Sequence, residues 1–215
     1  REISGFANFG AVIRALDALG VDCRVADRIP PAGTVEARAA ALSAALERMG
    51  GRPCVLIGHS MGGLDARYLC ARFDPNRRVR AVVTLSTPHH GSPIADWALT
   101  SGAPFPWLVR AFGRAGLAEL TPEACARRNA LLPESSAPPI FSVAAARPVQ
   151  ELPRLMRTLV PRLDSGQHDG LVEVASARWG EFLGVVAADH FELIGLDLTP
   201  GNIPLLGSIL GYRTA

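Results

Sequence analysis

The 215 residues suffice for one domain with a full hydrophobic core, and 20% charged against 48% apolar residues is ordinary for a globular enzyme. The net charge of +2 comes from scattered arginines without a basic run, so no nucleic-acid partner is expected. No apolar run reaches membrane-spanning length and no signal peptide is visible, which leaves the compartment open.

The chain opens Arg1-Glu2-Ile3-Ser4-Gly5-Phe6, with no room for a strand ahead of its first glycine. Asn8 to Leu19 places Phe9, Val12, Ile13, Leu16 and Leu19 at helical spacing, with Asn8 as cap and Gly20 as stop. Val21 to Ala26 alternates and predicts a short strand, followed by a proline-containing loop to Gly33. Thr34 caps an alanine-rich helix that runs to Met49.

Cys54 to Ile57 is an apolar run short enough for one buried strand, and Gly58-His59-Ser60-Met61-Gly62 follows at once. Leu64, Tyr68 and Leu69 then recur at helical spacing. Strand, sharp turn and helix around G-x-S-x-G is the setting of a nucleophile elbow. A serine at its apex adopts a sparsely populated backbone conformation. The chain passes itself closely there, so Gly58 and Gly62 are expected to be required, and Gly63 is expected to let the helix pack near the sheet.

Val79 to Leu85 predicts a further strand, ended by Ser86-Thr87-Pro88-His89-His90-Gly91-Ser92-Pro93. The excursion from 93 to 138 reads as mostly helical, rich in Ile94, Trp97, Phe105, Trp107, Leu108, Phe112 and Leu117, and is expected to cap a pocket. Ile140 to Ala144 and Phe182 to Ala187 predict two more strands. Strands alternating with helices indicate a mostly parallel sheet with helices on both faces, in a single domain over residues 1–215.

Ser60 needs a base, and in hydrolases of this kind the chain order is serine, acid, histidine. His59 sits inside the elbow, His89 and His90 leave no room for an earlier acid, and His168 adjoins Asp169. His190, after the last predicted strand, is the expected base. Asp169, before a glycine turn beyond the Ile140 strand, is favoured as the acid, with Asp164 its closest rival and Glu173 and Glu181 less suited. Met61 N–H, next after the nucleophile, is one expected oxyanion donor. Cys23, Cys54, Cys70 and Cys125 form no C-x-x-C pair or metal-ligand spacing, and Cys54 and Cys70 read as small core residues.

Three segments carry a family resemblance: Gly-His-Ser-Met-Gly-Gly-Leu-Asp-Ala-Arg-Tyr from Gly58, Ser-Thr-Pro-His-His-Gly-Ser-Pro-Ile-Ala-Asp-Trp from Ser86, and His-Asp-Gly-Leu-Val-Glu-Val-Ala-Ser-Ala-Arg-Trp-Gly from His168. In this order they resemble the triacylglycerol lipases, the Pseudomonas and Burkholderia enzymes and fungal mitochondrial relatives. The resemblance implies an α/β-hydrolase fold and hydrolysis of carboxylic esters such as acylglycerols. It places Ser60, Asp169 and His190 on the triad, with Ile3 N–H as second oxyanion donor and the first strand before that loop missing. Trp97, Phe105, Trp107 and Phe112 are expected to bind the acyl chain or form a lid, with a transient lipid-interface contact as corollary. The bacterial relatives hold a structural calcium near the histidine loop. Here Glu192 matches one ligand but Leu196 stands where an amide belongs, so no metal and no cofactor are expected. Pro88 to Ser92 reads as a brace near the site, and Asp65 and Arg67 as helix-surface or supporting residues. Acyl transfer on the same triad, or a silent binding protein on the same fold, are the competing readings.

Overall fold

The structure is a computed structural model, and it describes residues 9–100, 106–132, 138–164 and 166–196. Four strands, β1 Cys54–His59, β2 Val79–Leu85, β3 Ile140–Ala145 and β4 Glu181–Val186, form one sheet in the order β1-β2-β3-β4. Every neighbouring pair is parallel, with Leu56 beside Val82, Val82 beside Ile140, and Ser142 beside Phe182. Parallel neighbours need crossovers, and helices supply them.

Eight α-helices are described: α1 Gly10–Ala18, α2 Val35–Arg48, α3 Met61–Arg72, α4 Pro93–Thr100, α5 Pro106–Glu119, α6 Pro122–Leu131, α7 Arg154–Arg157 and α8 Val174–Ala177. α2 starts where predicted, because the Thr34 hydroxyl accepts the Ala37 N–H at 3.2 Å. Thr121 caps α6 in the same way, with Pro122 in its first turn. α5 breaks at Gly113, whose φ of 66° brings it against Ala32. Asn8, the expected cap of α1, lies outside the described residues.

Packing follows the pleat. Ala39 of α2 and Ala66 and Leu69 of α3 bury Val79 and Val82, with Leu56 and Ile140 partly buried against them. On the opposite side of β1 and β4, Val55, Ile57 and Leu183 remain 54%, 37% and 57% exposed. A second cluster joins Ile94, Leu108 and Leu117 to Ala144, Leu152, Met156, Leu159, Leu171 and Val172. The helices of the 93–138 excursion therefore share a core with the segment that follows β3.

One expectation needs correcting, and another is narrowed. Val21 to Ala26 is not a strand. No described strand lies beside it to complete a ladder, and its side chains turn to local pairs such as Arg24 with Asp22. Of the two roles expected for Asp65 and Arg67, helix surface or support, their 2% and 6% exposure leaves support. α3 lies between the sheet and α2, so its polar residues are buried and need partners. Arg38 of α2 grips both carboxylate oxygens of Asp65 at 2.9 and 3.2 Å through Nε. Burial nevertheless pushes the Asp65 carboxyl up to about 6 against the pull of Arg38. All four cysteines are free thiols.

Candidate active site

Ser60 sits between β1 and α3 with φ 53° and ψ −129°, a conformation that costs on the order of 1–3 kcal/mol. Its amide is tied to the Leu85 carbonyl at 2.9 Å, which holds the turn against the end of β2. The glycines around it are not equivalent. A Cβ on Gly58 would lie 2.7 Å from the Gly62 carbonyl and from Gly63 N, and one on Gly63 would lie 2.1 Å from Thr87 Oγ1. A Cβ on Gly62 would meet no atom within 4 Å. The expected steric need for Gly62 is therefore overturned: the close pass is between Gly58 and the backbone of the helix start, and Gly62 supplies backbone to it.

His190 follows β4, and its ring is fixed from several sides. Nδ1–H donates to Asp169 Oδ2 at 2.7 Å, and the His190 amide donates to the Asp169 carbonyl at 3.0 Å. The other carboxylate oxygen, Oδ1, accepts the N–H groups of Leu171 and Val172 at 2.9 and 2.8 Å. Burial pushes the Asp169 carboxyl up, but the charge and hydrogen bond of His190 and the two amides outweigh it and hold it below the usual range. With Nδ1 donating, Nε2 of neutral His190 is the acceptor. Gly170, at φ 95°, makes the turn after the acid, where a Cβ would strike Met156. Asp164 and Glu181 are exposed, and Glu173 has a buried carboxylate oxygen with no hydrogen-bond partner.

His59 has a place that its sequence position conceals. Its Nε2–H donates to the His190 backbone carbonyl at 2.8 Å, and the two rings lie 4.5 Å apart, tilted by 48°. Burial, and then the nearby charge of His190, push His59 down to about 3, so it stays neutral. The partner carbonyl is 131 residues away, and no local pattern announces it.

Within the turn after β2, His89 acts as a brace. Arg67 donates to His89 Nδ1 at 3.1 Å, which leaves the proton on Nε2 to donate to Thr84 Oγ1 at 3.1 Å. Thr84 in turn donates to the Phe141 carbonyl on β3. The Arg67 guanidinium also lies 3.6 Å over the Trp179 ring. Burial, then the charge of Arg67, drive His89 well below its ordinary value.

Ser60 and His190 open onto one narrow cleft, walled by Pro88, Ser92, Ile94, Ala95, Leu108, Phe112, Leu117, Leu120, Leu171 and Val172. All but Ser92 are apolar. Of the residues expected to bind an acyl chain, Phe112 is in this wall. Trp97 is not: it packs on the core beneath Arg162, whose guanidinium lies 4.4 Å from its ring. Phe105 lies outside the described residues, as does Ile3, and of Trp107 only the backbone in α5 is described. Leu171 and Val172, whose amides hold Asp169, wall the cleft as well, a double use that spacing alone does not reveal. Met61 is the first residue of α3, so its amide belongs to the free N–H groups of a helix start, directly after Ser60. Among the described residues no group of three or more His, Cys, Asp or Glu side chains is placed to hold a metal ion.

A family model described as alpha/beta hydrolase fold matches residues 15–160. The chain belongs to the α/β-hydrolase fold family. Triacylglycerol lipase 2 of Saccharomyces cerevisiae is 29% identical over 185 residues, 79% of this chain and 57% of the yeast protein. A triacylglycerol lipase of Burkholderia plantarii is 40% identical over 67 residues, 31% of this chain and 18% of that one. The chain thus spans just over half the length of the yeast relative and a smaller share of the bacterial one. Among solved structures, a metagenomic carboxyl esterase superposes with a TM-score of 0.66 at 21% identity, over 85% of this chain and 58% of that one. The mature form of a Bacillus licheniformis lipase gives 0.64 at 24% identity, over 77% and 71%. At these identities the likeness is one of fold.

Proposed function

We propose that this α/β hydrolase is a serine carboxylic-ester hydrolase that cleaves acyl esters, acylglycerols among them, through Ser60, Asp169 and His190. The observation that carries the reading is the His190–Asp169 pair, bonded at 2.7 Å, with its imidazole on the same apolar cleft as the strained Ser60. The names of the yeast and Burkholderia relatives support the ester class.

In the first step Ser60 Oγ attacks the acyl carbonyl while His190 Nε2 takes its proton. Asp169 holds the ring by Nδ1–H and offsets the charge of the imidazolium. The carbonyl oxygen becomes an oxyanion, and Met61 N–H at the positive end of α3 is one of its donors. The carbonyl re-forms as the C–O bond to the alcohol breaks, and His190 returns the proton to the leaving alkoxide. Water, deprotonated by His190, then attacks the acyl-enzyme; Ser60 leaves with the proton and the carboxylic acid is released. The apolar wall of the cleft suits an acyl chain, because a chain bound there removes its methylenes from water.

The test is Ser60→Ala with p-nitrophenyl esters, together with an organophosphonate probe. Loss of turnover in a variant that melts like the parent, and covalent labelling of the parent at Ser60, are expected. Undiminished turnover by Ser60→Ala removes the assignment.

A further inference from the structure

The histidine loop is held by a cation that belongs to the chain. Arg147 lies two residues beyond β3, and its backbone N–H donates to the carbonyl of His168, the residue before Asp169, at 3.1 Å. Its guanidinium reaches the other side of the site. Nε and Nη2 bond the two carboxylate oxygens of Glu192 at 2.6 and 3.0 Å, and Nη1 bonds Glu151 at 3.0 Å. Glu192 Oε2 also accepts the Asp189 N–H at 2.8 Å, while Asp189 Oδ1 accepts the N–H groups of Phe191 and Glu192. His190 lies inside this knot. One residue, through its backbone on one side and its side chain on the other, therefore joins the segment that carries the acid to the segment that carries the base.

The same contacts decide the question of a metal. In the resembled bacterial lipases a calcium sits near the histidine loop, and Glu192 is the residue here that matches a ligand. Both of its oxygens are engaged by a guanidinium, which is charged at any working pH and would repel a dication beside it. The residues present do not fit calcium.

We infer that Arg147 is a positioning residue for His190 and Asp169, a built-in positive centre that gives the histidine loop its order without a metal ion. It touches no reacting atom and acts through Glu192 and Asp189. The pair is half-shielded, each side chain being 27% exposed, and its fork geometry fixes direction as well as distance. This inference rests on the triad reading for its effect on rate, but its effect on loop order stands apart from that reading.

The experiment uses the full chain and the variants Arg147→Ala, Arg147→Lys, Glu192→Gln and the Arg147→Ala/Glu192→Gln double variant. Amide exchange across residues 187–193 is expected to quicken by about tenfold or more in Arg147→Ala, with β1 and β2 unchanged, because a local tether has been cut. kcat for a soluble ester is expected to fall about 10- to 100-fold at a KM within about twofold, the signature of misplacement on the order of 1 Å. Arg147→Lys should recover part of this loss. The double variant should be no worse than either single change, since the two act as one unit. Chelator or millimolar calcium should leave the melting temperature of the parent unchanged. Unaltered exchange and kcat in Arg147→Ala overturn the inference, and so does a parent that loses its melting temperature in chelator and regains it with calcium. A parent that is not labelled by phosphonate at Ser60 sinks the hydrolase reading instead, and the exchange and calcium results still decide the role of Arg147.

Discussion

Gly58 and Gly62 make opposite predictions although the motif treats them alike, and Gly63 beside them sides with Gly58. In Gly58→Ala the new methyl lies 2.7 Å from the Gly62 carbonyl carbon and oxygen and from Gly63 N, all backbone atoms of the turn that carries Ser60. Ordinary carbon contacts begin near 3.5 Å, so the helix start must retreat by about 0.8 Å. Overpacking of this kind costs about 1–3 kcal/mol. At about 2–4 °C per kcal/mol for a chain of this length, a 2 kcal/mol loss lowers Tm by roughly 4–8 °C. The retreat also moves Ser60, and a shift approaching 1 Å lowers kcat by about 100-fold. Gly63→Ala meets Thr87, which is fully buried and has no room to swing aside, so a similar loss of stability is expected. Gly62→Ala meets nothing within 4 Å and lies in the first turn of α3, where alanine gains up to about 1 kcal/mol over glycine. Thermal melts and ester turnover of the three variants are the assay. A Gly62→Ala protein as damaged in Tm as Gly58→Ala, or a Gly58→Ala protein with parental Tm and kcat, refutes the reasoning.

Asp169→Asn removes the acceptor that orients His190 and is expected to lower kcat by about 10³–10⁴-fold with little change in KM; steady-state rates near parental would exclude Asp169 from that role. Stability should fall with acid. The unfolded chain protonates His59 below about pH 6.5, whereas the folded state resists until about 3, so each pH unit in that window removes up to about 1.4 kcal/mol. Asp169 acts in the same direction, since its lowered carboxyl adds stability above the unfolded value that is lost as pH falls through the folded one. Urea midpoints at pH 7.5 and 4.5 check this; His59→Phe should shrink the loss on acidification, although the raised Asp65 carboxyl works in the opposite direction in both proteins, and a His59→Phe loss equal to the parent's contradicts the burial argument. Phe112→Ala opens the wall of the cleft and forfeits about 1.5–3 kcal/mol of apolar burial, so kcat/KM for an octanoyl ester should drop at least about tenfold more than for an acetyl ester. Equal losses on both esters would take Phe112 out of acyl binding.

What the residues foretold and what they hid divides by distance along the chain. The limits of β2, Val79 to Leu85, follow from a valine-rich run that stops at a proline turn, and the α2 start follows from one hydroxyl three residues from the amide it caps. The pairing of Asp169 with His190 was legible from chain order, because strand ends in a parallel sheet converge on one edge. Contacts with no periodic trace were not. His59 lies beside the serine with no local sign of a role, yet it bonds the carbonyl of His190. Arg147 and Glu192 are 45 residues apart, and nothing near either residue marks the pair. Val21 to Ala26 has the alternation of a strand and fails because alternation describes one side of a ladder while a strand needs two. The elbow glycines show the same limit: the pattern marks a close pass, but only coordinates tell which atom of which glycine is passed.

The arrangement around His190 explains why these distant contacts matter to chemistry. Its N–H and ring Nδ1–H are both given to Asp169, and its carbonyl accepts from His59. The residues on either side are tied through Asp189 and Glu192 to Arg147. Three of the four polar groups of the residue are thus committed to the scaffold, and Nε2 is the one left for the proton exchange with Ser60 that we propose. A base held in this way loses little orientational freedom when it receives a proton, and the carboxylate that offsets the new charge is already in contact. His59 and His89 extend the same logic. Each is buried where protonation is suppressed, so each stays neutral. One neutral histidine, His59, thereby holds His190 in place, while neutral His89 joins Arg67 to Thr84, and the division is set by burial rather than by residue type.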